Sequence, residues 1–171
     1  MILIIPEHIP HFLCSELINI YERNEEYSQK WNCTYPLEIN HIRNQDDYIN
    51  AKRVAQIVCN SSIPTYGSST YIECAQIVKW DVGCNQSFHF DDARDYTKLV
   101  SLTYLNDNFS GGCTVLKDMD LSVKPETGKT LYFYGKEYEH GVTEVSGSIR
   151  YTLALWYTKD VTKSIGEDFL W

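Results

Sequence analysis

The chain has 171 residues, of which 43% are hydrophobic and 22% are charged, and its formal net charge is −8. These values are typical of a globular protein with one domain and a substantial hydrophobic core. The negative charge argues against a nucleic-acid backbone or an anionic membrane as the main partner, because both attract lysine and arginine patches. It favours a basic or polar peptide.

The first five residues are apolar, but Pro6 and Glu7 end this run too early for a signal peptide or a membrane span. The pattern therefore predicts a cytoplasmic protein. The six cysteines include no Cys-x-x-Cys pair and no zinc-ligand spacing, so we expect reduced thiols rather than disulfides.

The N-terminal part of the chain, residues 1–70, has the pattern of one strand and two supporting helices. Residues 2–5 are β-branched or leucine and predict a short strand. From about Pro10 to Lys30, apolar residues recur at helical spacing and predict the first helix.

A second helix is expected from about Asp46 to Asn60, because its apolar residues again recur at helical spacing and two aspartates begin it. The preceding residues 31–45 are polar and are predicted to be irregular. The following residues 61–70 contain Pro64 and Gly67 and are predicted to form a loop.

Residues 71–158 consist of short segments rich in β-branched and aromatic residues, separated by turn-forming residues. We predict a mainly β fold, a jelly roll (double-stranded β-helix) of two sheets braced by about two helices, which can hold a ligand at one mouth. The predicted strands are residues 71–81, 87–91, 97–105, 112–117, 120–124, 129–134, 141–145 and 149–158. We expect a single domain over residues 1–171, ending in a tail (159–171) that docks Leu170 and Trp171 on a groove.

The segment Ser87–Asp91 reads Ser-Phe-His-Phe-Asp. Side chains in a strand repeat every two residues, so His89 and Asp91 point to the same side. A later histidine, His140, would complete a 2-His-1-carboxylate triad, which holds one face of a non-haem Fe(II) ion and leaves three positions open. A His-x-Asp or His-x-Glu triplet is expected by chance about 0.7 times in such a chain. A half-buried histidine beside a solvated acid is therefore the alternative for the triplet taken alone.

The order and spacing of several segments within residues 72–157 resemble the Fe(II)/2-oxoglutarate-dependent dioxygenases, closest to the prolyl 4-hydroxylase-like family. The segments are Gln76–Gly83, His89-Phe-Asp91, Leu102–Asn106, Gly111–Val115, Val123–Phe133, His140-Gly-Val142 and Ile149–Tyr157, with Arg150 ten positions after His140.

The resemblance implies that Fe(II) is held by His89, Asp91 and His140, and that Arg150 binds the far carboxylate of 2-oxoglutarate through a bidentate guanidinium. It also implies that Tyr104 and Thr152 contact this carboxylate; in the alternative, they are core residues and Arg150 forms a surface salt bridge. The implied enzyme uses O2 to convert 2-oxoglutarate to succinate and CO2 while it hydroxylates a substrate, with ascorbate as a possible stimulant. Asp91 favours hydroxylation, because halogenating relatives lack this carboxylate.

Trp156 matches a family tryptophan that flanks a target proline, whereas Gln86 stands where the family has a tyrosine. Together with Trp80, they are our candidate substrate-binding residues, and a prolyl residue in a peptide or protein is the expected target. The loops expected to face the substrate are residues 32–45, 60–70 and 92–97.

Three alternatives remain: a hydroxylase of another amino acid, a nucleic-acid demethylase, and a jelly-roll module that binds without catalysis. Demethylase relatives carry a second arginine six residues after the first, where this chain has Trp156. A complete triad with Arg150 argues against a non-catalytic module. No nucleic-acid or membrane partner is expected, and the oligomeric state stays open.

Overall fold

The computed structural model describes residues 1–68, 70–91 and 93–166. Within these ranges the helices are α1, His11–Arg23, and α2, Gln45–Tyr66. The strands are β1 Leu3–Ile5, β2 Thr34–Glu38, β3 Tyr71–Trp80, β4 Gln86–His89, β5 Thr97–Tyr104, β6 Ser110–Gly111, β7 Thr114–Leu116, β8 Leu121–Val123, β9 Thr130–Phe133, β10 His140–Val142, β11 Val145–Ser146 and β12 Arg150–Thr158. Single turns of 3₁₀-helix occur at Glu25–Tyr27, Ile39–His41, Lys117–Met119 and Val161–Lys163.

The strands form two main antiparallel sheets. The larger has the order β1-β9-β5-β12-β3-β2, the smaller has the order β4-β10-β7-β8, and β6 pairs with β11. Buried side chains from both sheets pack together, for example Val100 of β5 with Leu116 of β7 and Val123 of β8. The predicted mainly β jelly roll with two helices is confirmed.

The central strand β12 separates two hydrophobic cores. Leu153, Leu155 and Tyr157 pack in the core that contains the helices, whereas Ala154 and Trp156 pack in the clusters between the two sheets. This division follows from the two-residue period of a strand. It also places the inward-facing residues of β12 where a ligand can reach them.

The two helices cover the outer face of the larger sheet. Each buries a stripe of residues three or four positions apart, as expected for amphipathic helices. The stripes are Cys14, Leu17, Ile20 and Tyr21 in α1, and Ala51, Val54, Ala55, Val58 and Cys59 in α2.

The predicted strands agree well with the observed ones. The strand at residues 2–5 and all eight strands predicted beyond residue 70 are present, and β6 and β11 are two further short ones. The prediction that residues 31–45 are irregular was wrong for β2, which pairs with β3 over five residues. Pro36 lies within β2, and this is compatible with its position at the edge of the sheet.

Both helices end away from the predicted positions. α1 ends at Arg23 rather than near Lys30, because the Asn24 side chain donates a hydrogen bond to the Ile20 carbonyl at 2.8 Å and a 3₁₀ turn follows. α2 continues past Asn60 to Tyr66, although Pro64 cannot donate a helical hydrogen bond.

Tertiary contacts compensate for the proline in α2. Tyr66 is buried against the rings of Tyr132 and Tyr134, and the Lys159 ammonium donates a hydrogen bond of 2.6 Å to the Tyr66 carbonyl. Gly67, with φ of 94°, then ends the helix, and its N–H bonds to the Ile63 carbonyl. The predicted loop therefore begins about six residues later than expected.

A disulfide joins Cys33, which precedes β2, to Cys84, which follows β3, with a Cα–Cα distance of 5.5 Å. The prediction that all six cysteines are reduced was therefore wrong. Antiparallel pairing of β2 with β3 brings together two cysteines that lie 51 positions apart in the sequence. Disulfides are typical of oxidising compartments. The cytoplasmic location stays a prediction, and this disulfide argues against it.

None of the described helices is long and apolar enough to cross a membrane. The predicted docking of Leu170 and Trp171 concerns residues outside the described ranges. The division into segments 1–70, 71–158 and 159–171 stays a prediction.

Candidate metal and cosubstrate site

The strand pairing of the smaller sheet brings the three predicted metal ligands together. His140 of β10 pairs with His89 of β4, and their ring centroids are 4.3 Å apart. Asp91 lies two residues after β4, and its two carboxylate oxygens are each 3.7 Å from one imidazole, Oδ1 from Nε2 of His89 and Oδ2 from Nε2 of His140. One donor atom from each residue lies within 4.8 Å of the others, so a single ion could contact all three.

Backbone hydrogen bonds orient both imidazoles for metal binding. Nδ1 of His89 lies 3.0 Å from the Ser87 carbonyl, and Nδ1 of His140 lies 3.0 Å from the Tyr138 carbonyl. Each Nδ1 must carry a hydrogen to donate to a carbonyl, so each neutral ring has its lone pair on Nε2. Burial lowers the pKa of His140, which favours the neutral form that binds metals.

Asp91 is held from two further directions. Its backbone N–H donates to the Gly135 carbonyl at 2.9 Å, and the indole N–H of Trp156 donates to its Oδ2 at 3.2 Å. Gly135 has no side chain, and a Cβ at this position would lie 2.7 Å from the same oxygen. The carboxylate therefore occupies space that only glycine leaves free.

Arg150, the first residue of β12, is completely buried between the two sheets. Its guanidinium lies over the Trp80 ring at 4.6 Å and the Tyr104 ring at 5.4 Å. A Cβ on Gly112 would lie 2.9 Å from its Cδ, so the backbone approaches the arginine closely on this side. Arg150 is therefore an interior residue, and the surface salt bridge considered from the sequence does not occur.

Nε and both terminal nitrogens of Arg150 are buried, and none of them has a hydrogen-bond partner among the described residues. Burial lowers the pKa of Arg150 to about 10, so the group stays charged at neutral pH. A buried, charged and unpartnered group is costly unless it receives an anion. This arrangement fits the far carboxylate of 2-oxoglutarate, which accepts two parallel hydrogen bonds from a guanidinium.

Tyr104 and Thr152 are both buried near Arg150. The Tyr104 hydroxyl lies 2.7 Å from Oγ1 of Thr114 and 3.2 Å from the Val123 carbonyl, and Oγ1 of Thr152 accepts a hydrogen bond of 3.4 Å from the Trp80 indole. Their predicted contact with a carboxylate stays a prediction. Thr114 was not predicted, since one threonine in a short strand gives no signal in the sequence.

A cavity of about 650 Å³ contains the triad and connects it with residues around Arg150. Trp80, Thr114 and Thr152 line it, as do the candidate substrate residues Gln86 and Trp156. Trp80 is buried against Arg150, at the cosubstrate side of the cavity rather than on an exposed substrate surface. The Gln86 amide nitrogen lies 3.3 Å from Nε2 of His89, directly beside the candidate metal position.

Two of the three loops predicted to face the substrate contribute to this cavity. Thr34 and Pro36 come from the segment 32–45, and Ala93, Arg94 and Thr97 come from the segment 92–97. The described residues of segment 60–70 do not line it, because most of them belong to α2 and its C-terminal cap. Trp31 and Phe90, which were not predicted, also line the cavity and expose 55% and 42% of their surface.

A jelly roll with an internal His-Asp-His triad and a buried, unpartnered arginine defines the class of non-haem iron proteins that bind an anionic cosubstrate beside the metal. The family comparison specifies this class. Residues 75–158 match the family model of the 2OG-Fe(II) oxygenase superfamily, so this part of the chain is a domain of that superfamily. Its cofactors are Fe(II) and 2-oxoglutarate, as the resemblance implied.

Among curated proteins, the chain is similar to prolyl 3-hydroxylase 2 of Homo sapiens, with 40% identity over 73 residues. The match covers 39% of this chain but only 10% of that protein's length. A prolyl hydroxylase of Trichoplax adhaerens, solved with a peptide fragment of hypoxia inducible factor, has a TM-score of 0.75 and 16% identity, with 92% and 83% of the two chains covered. The viral collagen prolyl hydroxylase of Paramecium Bursaria Chlorella virus-1, solved with 2-oxoglutarate, has a TM-score of 0.68 and 17% identity, with 92% and 94% covered. These two structures establish the similarity of fold.

Proposed function

We propose that the chain is an Fe(II)- and 2-oxoglutarate-dependent hydroxylase whose substrate is a prolyl residue in a peptide or protein. The observation that carries this proposal is the buried Arg150, whose three guanidinium nitrogens have no hydrogen-bond partner among the described residues and lie beside a cavity that also contains the metal triad. A binding module without catalysis would not need a metal site and an anion site in one cavity.

The chain's residues would have distinct tasks. His89, Asp91 and His140 would hold Fe(II) on one face and leave the other positions for cosubstrate and oxygen. Arg150 would fix the far carboxylate of 2-oxoglutarate, while the largely apolar cavity walls limit the access of water. When bound, Fe(II) and 2-oxoglutarate supply oxygen activation: 2-oxoglutarate, O2 and a substrate C–H bond give succinate, CO2 and a C–OH group.

The prolyl substrate is supported by the names of the similar proteins. The identity of 40% is to a prolyl 3-hydroxylase, although the sequence motifs resemble the prolyl 4-hydroxylase-like family. We therefore propose proline as the target residue and C3 as the first ring position to test. The net charge of −8 favours peptides that carry basic or neutral residues.

The test is incubation of the full chain with Fe(II), 2-oxoglutarate, ascorbate and a library of proline-containing peptides. We expect succinate to form and the mass of a peptide to increase by one oxygen. Acid hydrolysis and amino-acid analysis then distinguish 3-hydroxyproline from 4-hydroxyproline. An oxidised oligonucleotide, or an oxidised residue other than proline, would contradict the proposed substrate.

The matched variants are His89→Ala, which removes a triad member, and His41→Ala, which removes an exposed histidine outside the cavity. We expect succinate formation to be lost in the first and unchanged in the second. If neither the wild type nor any variant produces succinate above the level of free iron, the proposed enzyme class is wrong.

A further inference from the structure

Trp31 is a large aromatic residue on the wall of the catalytic cavity that neither the metal site nor the cosubstrate site uses. It lines the same cavity as the triad, but 55% of its surface is exposed. An exposed tryptophan in such a position is characteristic of residues that dominate recognition of a partner. Within residues 1–68, 70–91 and 93–166, the fold leaves this ring more than half exposed, which makes it available to a ligand.

The backbone holds Trp31 in a tight turn. The N–H of Trp31 donates to the Thr34 carbonyl and the N–H of Thr34 donates to the Trp31 carbonyl, both at 2.9 Å. The Thr34 hydroxyl adds a bond of 2.8 Å to the Trp31 carbonyl. Between them, Asn32 has φ of 55°, a conformation that asparagine adopts more readily than most residues. The indole is therefore attached to a well-constrained turn.

The disulfide joins this turn to the segment that follows β3. Cys33 lies within the turn and is bonded to Cys84, which follows β3. The backbone around Cys84 is itself anchored, because Gly83 N–H donates to the Val145 carbonyl at 2.7 Å and Val145 N–H donates to the Cys84 carbonyl at 2.8 Å. A rigid aromatic residue loses little entropy on binding and is therefore an effective contact.

The charges near the entrance indicate which chemistry suits Trp31. Glu73 is buried, forms an ion pair with Arg94 at 2.5 Å and accepts a hydrogen bond of 2.5 Å from the Thr97 hydroxyl, so it is not free to attract a cation. Phe90, 42% exposed, lines the same cavity. These surroundings favour an apolar ring over a lysine or arginine side chain. Extended proline-rich segments bind to such aromatic-lined surfaces.

We propose that Trp31 is a specificity-determining residue that packs against a second prolyl residue flanking the target proline, and that the Cys33–Cys84 disulfide positions it for this contact. The inference rests on the proposed function, because it names part of the substrate of that site. It places two binding elements on the peptide: the target in the cavity, and a neighbouring prolyl ring on the indole.

The test measures the binding of two fluorescein-labelled peptides, Gly-Ala-Pro-Pro-Ala-Gly and Gly-Ala-Pro-Ala-Ala-Gly, to the full chain loaded with Mn(II) and 2-oxoglutarate. We expect the first peptide to bind more tightly to the wild type. Trp31→Ala should weaken its binding about tenfold and abolish the difference between the peptides. Trp31→Phe should retain most of the affinity, and Phe12→Ala, which removes an exposed aromatic residue from α1, should have no effect.

The second arm tests the disulfide. Cys33→Ser combined with Cys84→Ser should weaken the Pro-Pro peptide by a similar factor while the circular dichroism spectrum and the affinity for 2-oxoglutarate are unchanged. If Trp31→Ala binds both peptides as the wild type does, or if the wild type does not distinguish them, the role of Trp31 is wrong. Unchanged peptide affinity in the double serine variant overturns the role of the disulfide.

Hydroxylation of the same peptides separates this inference from the proposed function. Product formation by a Trp31→Ala variant with wild-type affinity would contradict the inference alone. Binding that depends on Trp31 without any succinate or hydroxylated product would contradict the proposed function alone.

Discussion

The indole N–H of Trp156 donates a hydrogen bond to Oδ2 of Asp91 at 3.2 Å. The same oxygen lies 3.7 Å from Nε2 of His140, and the other carboxylate oxygen lies 3.7 Å from Nε2 of His89. The bond therefore orients the carboxylate between the two imidazoles. Trp156, which the family resemblance suggested as a substrate contact, also positions a candidate metal ligand.

Replacement of Trp156 by phenylalanine removes this hydrogen bond but keeps an aromatic ring in the cavity. Loss of a hydrogen bond to a metal ligand commonly weakens metal binding by about 10- to 100-fold. We expect the dissociation constant for Mn(II), measured by electron paramagnetic resonance, to rise about tenfold. Trp31→Phe is the matched control and should leave it unchanged. Equal Mn(II) affinities for Trp156→Phe and the wild type would show that the bond does not position Asp91.

Gly135 holds Asp91 in a different way, through a backbone hydrogen bond and the absence of a side chain. In Gly135→Ala the new Cβ would lie 2.7 Å from Oδ2 of Asp91 and 2.8 Å from Cγ2 of Val100. The carboxylate must move, so we expect Mn(II) affinity to fall at least tenfold.

Gly147→Ala is the control for Gly135→Ala. Gly147 has φ of 84° but no atom within 4 Å of an added Cβ. The Gly147→Ala substitution should lower the free energy of unfolding through backbone strain without any change in Mn(II) affinity. Similar Mn(II) affinities for the two variants would mean that Gly135 affects stability rather than the metal site.

The sequence predicted those parts of the site that depend on strand periodicity and motif order. His89 and Asp91 are two positions apart, and their shared face follows from the geometry of a strand. The role of Arg150 required the family resemblance, and the pairing of His140 with His89 depends on contact between strands that are distant in the sequence. The resemblance also supplied Tyr104, Thr152 and Trp156.

The features that were missed depend on contacts between distant segments. β2 has a proline and only five residues, and it is stabilised by pairing with β3 rather than by its own propensities. The Cys33–Cys84 bond has no local signal in the sequence. The closeness of Gly135 to Asp91 could have been suspected only from a glycine two residues after a fully buried strand.

The third prediction concerns cosubstrate binding by Arg150, whose guanidinium forms no hydrogen bond with the part of the chain that the structure describes. Arg150→Lys keeps the charge but cannot form two parallel hydrogen bonds, so we expect 2-oxoglutarate to bind about tenfold more weakly. Arg150→Met removes the unpaired buried charge, and its unfolding temperature without cosubstrate should equal or exceed that of the wild type.

Thermal unfolding with Mn(II) and increasing 2-oxoglutarate measures both effects. At 100 times the dissociation constant, the cosubstrate should stabilise the wild type by about 2.7 kcal/mol, and it should not stabilise Arg150→Met. If 2-oxoglutarate stabilises Arg150→Met and the wild type equally, its far carboxylate does not bind to Arg150. Arg53→Met, at an exposed position of α2 outside the cavity, is the control for the loss of an arginine.

Asp47 of α2 is hydrogen-bonded to the end of α1. This contact should make the free energy of unfolding depend on pH. The Asp47 carboxylate accepts hydrogen bonds from Arg23 at 2.6 Å and from the Asn24 amide at 2.9 Å. The hydrogen bond from Arg23, chiefly, lowers the pKa of Asp47. The folded-state pKa is therefore below the unfolded value of about 3.9. Asp47 contributes fully to the free energy of unfolding when the pH is above its unfolded-state pKa. This contribution is lost as the pH falls through its folded-state pKa.

We expect Asp47→Asn to lower the free energy of unfolding by about 1–2 kcal/mol at pH 7, measured by urea denaturation. The difference from the wild type should shrink as the pH falls below about 4. Asp46→Asn, in the same helical turn but exposed, removes an equal charge near the helix N-terminus and should cost less. A difference between Asp47→Asn and the wild type that does not shrink at all as the pH falls below the unfolded pKa of about 3.9 would show that the amide disrupts packing and that the charge itself contributes little.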